Sequence, residues 1–216
     1  MARLVLFDLD NTLVDRHAAV PACLTAFCTA AGFGSDIKAW LTAELAERAV
    51  PDDFARLRAA FRLSEPADKL WRAYVDAMAG AVSCRPEILT ALGSLREGGW
   101  TIGVVTNGAS DIQLAKLRAT GVHDLVDGVA VSGDLEIRKP DPRLFELASS
   151  RCGVSLADGG WMIGDNPAGD IGGGHQAGLH TIWLRGRPWP DGLAAAHHTV
   201  DDVTQAIAIL LNKTLE

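Results

Sequence analysis

Two kinds of pattern alternate along the chain. Short apolar, strand-like runs, each closed by polar residues or glycine, lie at about 3–8, 100–108, 126–132, 160–165 and 180–184. From about 18 to 78 the pattern is helical instead, with alanine, leucine and charged residues and no strand-like alternation. Helices are predicted there at about 18–31, 36–48, 52–62 and 66–79, with Gly32 and Gly80 as stops. Further helices are predicted at about 86–97, 110–119, 141–151, 167–177 and 201–212. Ser110 reads as a cap, Gly121 as a stop, and Asp141-Pro142 as a cap with proline at the first helical position. Residues 186–198 read as loop.

Strands alternating with helices predict an α/β fold, a parallel sheet with helices on both faces. Residues 1–16 and 84–216 form that core, and 17–83 are a helical insertion after the first strand. One irregularity stands out. Gly172-Gly173-Gly174 falls inside a predicted helix, where each glycine costs about 1 kcal/mol relative to alanine. Either that helix is loose or it packs unusually close to a neighbour.

Composition narrows the function. A chain of 216 residues that is 48% hydrophobic has ample material for a core. The net charge of −7 argues against a nucleic-acid surface. No run approaches the roughly 18 apolar residues of a membrane span, and the first apolar stretch, broken by Asp8 and Asp10, is no signal peptide. A cytoplasmic protein is expected. Cys23, Cys28, Cys84 and Cys152 are scattered, and read as buried or half-buried packing residues.

Candidate chemistry collects at the strand ends. Asp8 and Asp10 close the first strand; two apart, they share a face if the extended backbone persists. Two carboxylates so close need a cation, a shared proton or a positive neighbour, and a divalent metal is the simplest answer. Thr106-Asn107 closes the second strand and Asp165 the fourth, while Lys139 sits in the loop before the Asp141 helix. A parallel sheet puts all these ends on one edge. Aspartates suit Mg²⁺, the turn at Asn107 and Gly108 offers backbone N–H groups to an anion, and Lys139 supplies a mobile charge. Such a set fits phosphoryl transfer.

In this order and spacing the residues resemble the haloacid dehalogenase-like (HAD) superfamily. Asp8-Leu9-Asp10-Asn11-Thr12 resembles its first motif, Thr106-Asn107 the second, Lys139 the third, and Gly164-Asp165 with Asp170 the fourth. The resemblance implies a Rossmann-like doubly wound core, with the insertion as a C1-type cap. It implies Asp8 as nucleophile and Asp10 as general acid and base. Mg²⁺ would be held by Asp8, Asp165 and the backbone carbonyl of Asp10. Thr106, Asn107 and Lys139 would hold the phosphoryl group, with Asp170 supporting the metal, through water, and Thr12 completing the first motif.

The activity implied is a Mg²⁺-dependent phosphomonoester hydrolase of a small phosphorylated metabolite, as monomer or homodimer. Asp10 points away from the family's dehalogenases, which lack an acid there. A phosphomutase or phosphonatase is the alternative, the latter needing a cap lysine, for which only Lys38 and Lys69 are available. A non-catalytic binding protein would have no need of the full set.

Other residues have simpler readings. Arg16 and His17 could face a substrate, but read as surface turn residues. Trp40 and Trp71 read as helix packing rather than substrate stacking. His175 reads as structural, and His197-His198 as a surface pair. Trp183 and Trp189 suit either the core edge or a subunit contact.

Overall fold

The computed structural model describes residues 3–212. Its first strand, β1 (Arg3–Phe7), is buried from Leu4 onward. Alternate side chains go to opposite faces of a sheet. Leu4 and Leu6 accordingly join one apolar cluster, and Val5 and Phe7 the other. Burial on both faces explains why β1 reads as an unbroken apolar run.

Four helices of the insertion follow: α1 (Arg16–Ala31), α2 (Ser35–Glu44), α3 (Pro51–Phe61) and α4 (Ala67–Ala81). Asp15 caps α1, its side chain accepting from the N–H of Ala18. Gly32 ends α1 at φ 67°, a left-handed conformation that glycine adopts without strain. Gly80 is not the predicted stop: α4 runs through it to Ala81 and ends where Val82 turns extended. The interior of this layer is aromatic, with Phe27 edge-on to both Phe54 and Tyr74.

The α/β portion then alternates as α5 (Pro86–Glu97), β2 (Trp100–Thr106), α6 (Ser110–Ala119), β3 (Gly128–Val131), α7 (Pro142–Arg151) and β4 (Trp161–Gly164). A π-helical turn at Pro167–Gly172 runs into α8 (Gly173–Gln176), followed by β5 (His180–Leu184), β6 (His198–Val200) and α9 (Val203–Asn212). The sheet is parallel throughout, in the order β3-β2-β1-β4-β5-β6. Helix α7 covers the Leu4/Leu6 face through Leu144, Phe145 and Ala148. Helices α5, α6 and α9 cover the other. No helix among the described residues is long and apolar enough to cross a membrane.

Two further local expectations change, and one open alternative is resolved. Ser110 is the first residue of α6 rather than its cap, and its hydroxyl donates to Asp134 at 2.6 Å. The tail of the predicted loop 186–198 opens a sixth strand, where Ile182 pairs with His198. At three residues, β6 is too short to show a period. The glycine run is a case of close packing, not looseness. A Cβ on Gly173 would come within 2.7 Å of the Phe145 ring and 3.0 Å of Pro140 Cα, and one on Gly174 within 2.9 Å of Thr181 and 3.0 Å of Met162.

Candidate active site

Register brings the predicted strand ends together. The central neighbours are β2, β1 and β4, with Phe7 opposite both Val104 and Ile163. Asp8, Thr106 and Asp165 therefore leave the sheet side by side. The Asp8 N–H still donates to Ile163 O at 2.9 Å, so the strand geometry carries the nucleophile candidate to the edge. Beyond it the chain turns sharply: Asn11, at φ 61°, donates its N–H to Val14 O at 2.6 Å. Asn tolerates this left-handed conformation. Asp8, Asp10, Thr106, Asn107, Lys139, Asp165 and Asp170 all line one cavity of about 210 Å³, and Thr12 does not. The Thr12 hydroxyl is buried with no hydrogen-bond partner among the described residues.

Lys139 is the hub. Its Nζ donates to Asp8 Oδ1 at 2.6 Å and to Val105 O at 2.8 Å. It also forms a buried ion pair with Asp170 Oδ1 at 2.7 Å. The Lys139 backbone is clamped by the Asn107 side chain, whose Oδ1 accepts from the Lys139 N–H at 2.9 Å and whose Nδ2 donates to the carbonyl at 3.3 Å. Asn107 thus has a positioning contact that its motif match did not suggest. The N–H of Gly108 is not free for an anion, since it donates to Ser132 Oγ at 2.9 Å.

Asp170 reaches this centre because Gly164 has no side chain: a Cβ there would lie 2.1 Å from Asp170 Oδ2. Asp8, Asp165 and Asp170 are buried, with carboxylate oxygens within 4.8 Å of one another. Three acids with so few cations carry excess negative charge. Burial foremost pushes the Asp8 carboxyl up to about 7, and Asp170 adds to this against the pull of Lys139. Burial likewise raises Asp165, with Asp8 adding to it, and raises Asp170 against Lys139. Burial alone would lower Lys139; Asp170 and Asp8 outweigh it and hold the ammonium above its ordinary value. A hard divalent cation fits this all-oxygen, charge-deficient donor set. The carboxylate of Asp10 is not one of the three, and Asp170 stands as near as the other two.

Asp10 is engaged by residues the sequence reading missed. Lys116 Nζ donates to both its carboxylate oxygens at 2.8 Å and to Gln113 Oε1 at 2.8 Å. Gln113 Nε2 donates to Thr106 Oγ1 at 2.6 Å and to Asp10 Oδ2 at 3.2 Å, linking the two candidate residues. Gln113 and Lys116 lie three apart on α6, on one helix face, and both are buried. That spacing was the available signal.

Arg187 also went unnoticed; its Nε donates to Asp165 Oδ2 at 2.8 Å. Trp183 supports the same residue, its Nε1 donating to Asp165 O at 3.1 Å, with Trp189 packed edge-on at 4.8 Å. Arg16 is not a surface turn residue. It is buried against the cavity and donates to Ala46 O and Leu45 O, each at 3.0 Å, tying the loop between α2 and α3 over the site. His17 also lines the cavity, its N–H donating to Asn11 Oδ1 at 3.1 Å.

Trp71 is buried packing as expected, and its Nε1 donates to Asp111, joining α4 to α6. Trp40 packs on Phe61. Lys38 donates to Thr25 Oγ1 at 2.9 Å, Lys69 pairs with Glu65 at 3.4 Å, and neither lines the cavity. His197 is more than half of a surface pair. Its ring is 4.6 Å from that of His180 and 5.4 Å from that of His175, and its Nδ1 accepts from Thr181 N–H at 3.1 Å.

Known proteins resemble this chain in sequence and in fold. A pyrimidine 5'-nucleotidase, YjjG, of Escherichia coli (strain K12) is 35% identical over 135 residues, covering 62% of this chain. The match spans 60% of that relative's length. A ribulose-1,5-bisphosphate 5-phosphatase of Halopiger xanaduensis is 32% identical over 210 residues, covering 84% of each chain. The crystal structure of a HAD phosphatase from Thermococcus onnurineus superposes with a TM-score of 0.68 at 25% identity, covering 96% of this chain and 97% of that one. The family profile described as haloacid dehalogenase-like hydrolase matches residues 2–178. With the parallel sheet and the acids on its edge, the match shows that this chain belongs to the haloacid dehalogenase-like hydrolases.

Proposed function

We propose that the protein is a Mg²⁺-dependent phosphomonoester hydrolase of a small phosphorylated metabolite, working through an aspartyl-phosphate on Asp8. The carrying observation is the buried Asp8 carboxylate held 2.6 Å from Lys139, with two further carboxylates on the same sheet edge. The likeness to a nucleotidase and a phosphatase supports the same chemistry.

Asp8, Asp165 and Asp170 are the side chains that would hold the metal, with the Asp10 carbonyl as a further donor. Bound there, it would neutralise charge on the carboxylates and on the transferring phosphoryl group. The chain's own residues do the rest. Lys139 and Thr106 orient the phosphoryl group. Asp8 attacks phosphorus as the P–O bond to the leaving alcohol breaks, and Asp10 gives that oxygen its proton. Water then attacks the acyl phosphate, Asp10 takes its proton, and phosphate leaves with Asp8 regenerated. Lys116 and Gln113 hold the Asp10 carboxylate in place through both steps.

Acid-quenching the protein during turnover and trapping the acyl phosphate with hydroxylamine tests this. Mass spectrometry should find the adduct on Asp8. An adduct elsewhere, or none while phosphate is released, would remove Asp8 as nucleophile. A phosphomutase would form the same adduct but return the phosphoryl group to the sugar, so stoichiometric phosphate release separates the two. The phosphonatase alternative loses support because both lysines of the helical layer are engaged away from the cavity.

A further inference from the structure

The cations around the cavity are unevenly used. Lys139 is taken up by Asp8 and Asp170, Arg187 by Asp165, and Arg16 by two backbone carbonyls. Arg48 and Arg138 also line the cavity, yet among the described residues neither side chain has a hydrogen bond or an ion pair. They approach it from different sides. Arg48 comes from the loop between α2 and α3, which Arg16 ties down; Arg138 immediately precedes Lys139, whose backbone Asn107 clamps.

We infer that Arg48 and Arg138 form a second anion subsite, so that the substrate is a compact phosphate ester carrying another oxyanion, a carboxylate or a second phosphate. This rests on the phosphatase reading of the cavity and names its substrate class.

Several features favour it. The two guanidinium groups act on each other: burial and then the charge of Arg48 hold Arg138 below its ordinary value. Both are exposed at the rim of the cavity, and two like charges there are relieved by an anion placed between them. Glu47, on the same loop as Arg48, also lines the cavity, and its charge acts on Arg187. Guanidinium groups match carboxylate and phosphate oxygens with paired N–H donors, so they discriminate strongly for such groups. The cavity is only about 210 Å³, and no Phe, Trp or Tyr lines it. A short-chain dianion meets charge at both ends of such a space.

The test uses Asp8→Asn protein with Mg²⁺, in which turnover is blocked and affinity can be read by calorimetry. Two matched pairs are compared. One is 3-phosphoglycerate against glycerol 3-phosphate, for a carboxylate; the other is propane-1,3-diol bisphosphate against propyl phosphate, for a second phosphate. In at least one pair the more anionic member should bind about tenfold tighter or more. The pair that responds identifies the anion. Adding Arg48→Gln and Arg138→Gln should bring that ratio close to one, with thermal unfolding checking that the variant is folded. Ratios near one in both pairs, or a ratio unchanged in the double variant, would overturn the subsite. Turnover by the parent protein is scored separately. If no phosphate is released from any of these esters but the ratio holds, the hydrolase reading falls and the subsite stands.

Discussion

Asp8 concentrates the electrostatic problem of the site in one residue. Its carboxyl is raised from the ordinary 3.8 to about 7 by burial and by Asp170. Between about pH 4 and 7 the metal-free folded chain keeps a proton there that the unfolded chain has lost. Ionising Asp8 over that window therefore lowers native stability as pH rises. Asparagine has no such cost. Metal-free Asp8→Asn should gain stability over the parent as pH is raised from about 4 to 7 and hold that gain above. Thermal unfolding across pH reads the difference; a flat difference would contradict the assigned burial. Lys116 makes the complementary case. Lys116→Met leaves Asp10 without its ammonium, and breaking a buried pair costs about 3 kcal/mol or more. Urea unfolding should show that loss, and phosphate release should fall at least about tenfold as Asp10 loses its orientation. A variant within about 1 kcal/mol of the parent would show that the pair is not structural.

At the scale of the element, legibility depended on length and context. Asp8, Thr106 and Asp165 end long or markedly apolar strands, so periodicity alone delivered them to one edge, and Lys139 followed from its motif. Gln113 and Lys116 did not stand out. They lie within Ser110–Ala119, a helix of mixed polarity in which a lysine reads as a solvated residue until tertiary packing buries it. Arg16 failed for a similar reason: its acceptors, Leu45 and Ala46, are backbone carbonyls about 30 residues away. The helix after β4 shows the reverse. Its three glycines flagged an anomaly, and the structure supplies the cause in Phe145, Met162 and Thr181. Helix propensity alone favours valine over glycine, yet Gly173→Val should destabilise the protein by about 1–3 kcal/mol through overpacking. Chemical denaturation measures it. A neutral or stabilising valine would mean that the contact with Phe145 yields freely.

For the molecule as a whole, the helical layer and the α/β portion meet over the reactive edge. Arg16 fastens the α2–α3 loop above the cavity, and Trp71 fastens α4 to α6 through Asp111. Residues from both parts line the cavity, so on the proposed reading substrate choice and phosphoryl chemistry would share one small space. The organisation into core and insertion was legible in the sequence because strand-like runs stop for some sixty positions and then resume. The ties between the two parts were not, since each joins residues far apart in the chain. On the proposed reading, the acids of the sheet edge form a metal-requiring phosphatase centre. Phosphate release from a panel of phosphorylated metabolites, with Mg²⁺ and again with chelator, tests it most directly. Turnover of at least one compound is expected, lost with chelator and restored by adding Mg²⁺ back. Turnover that persists in chelator, or no release from any compound with Mg²⁺ present, would contradict it.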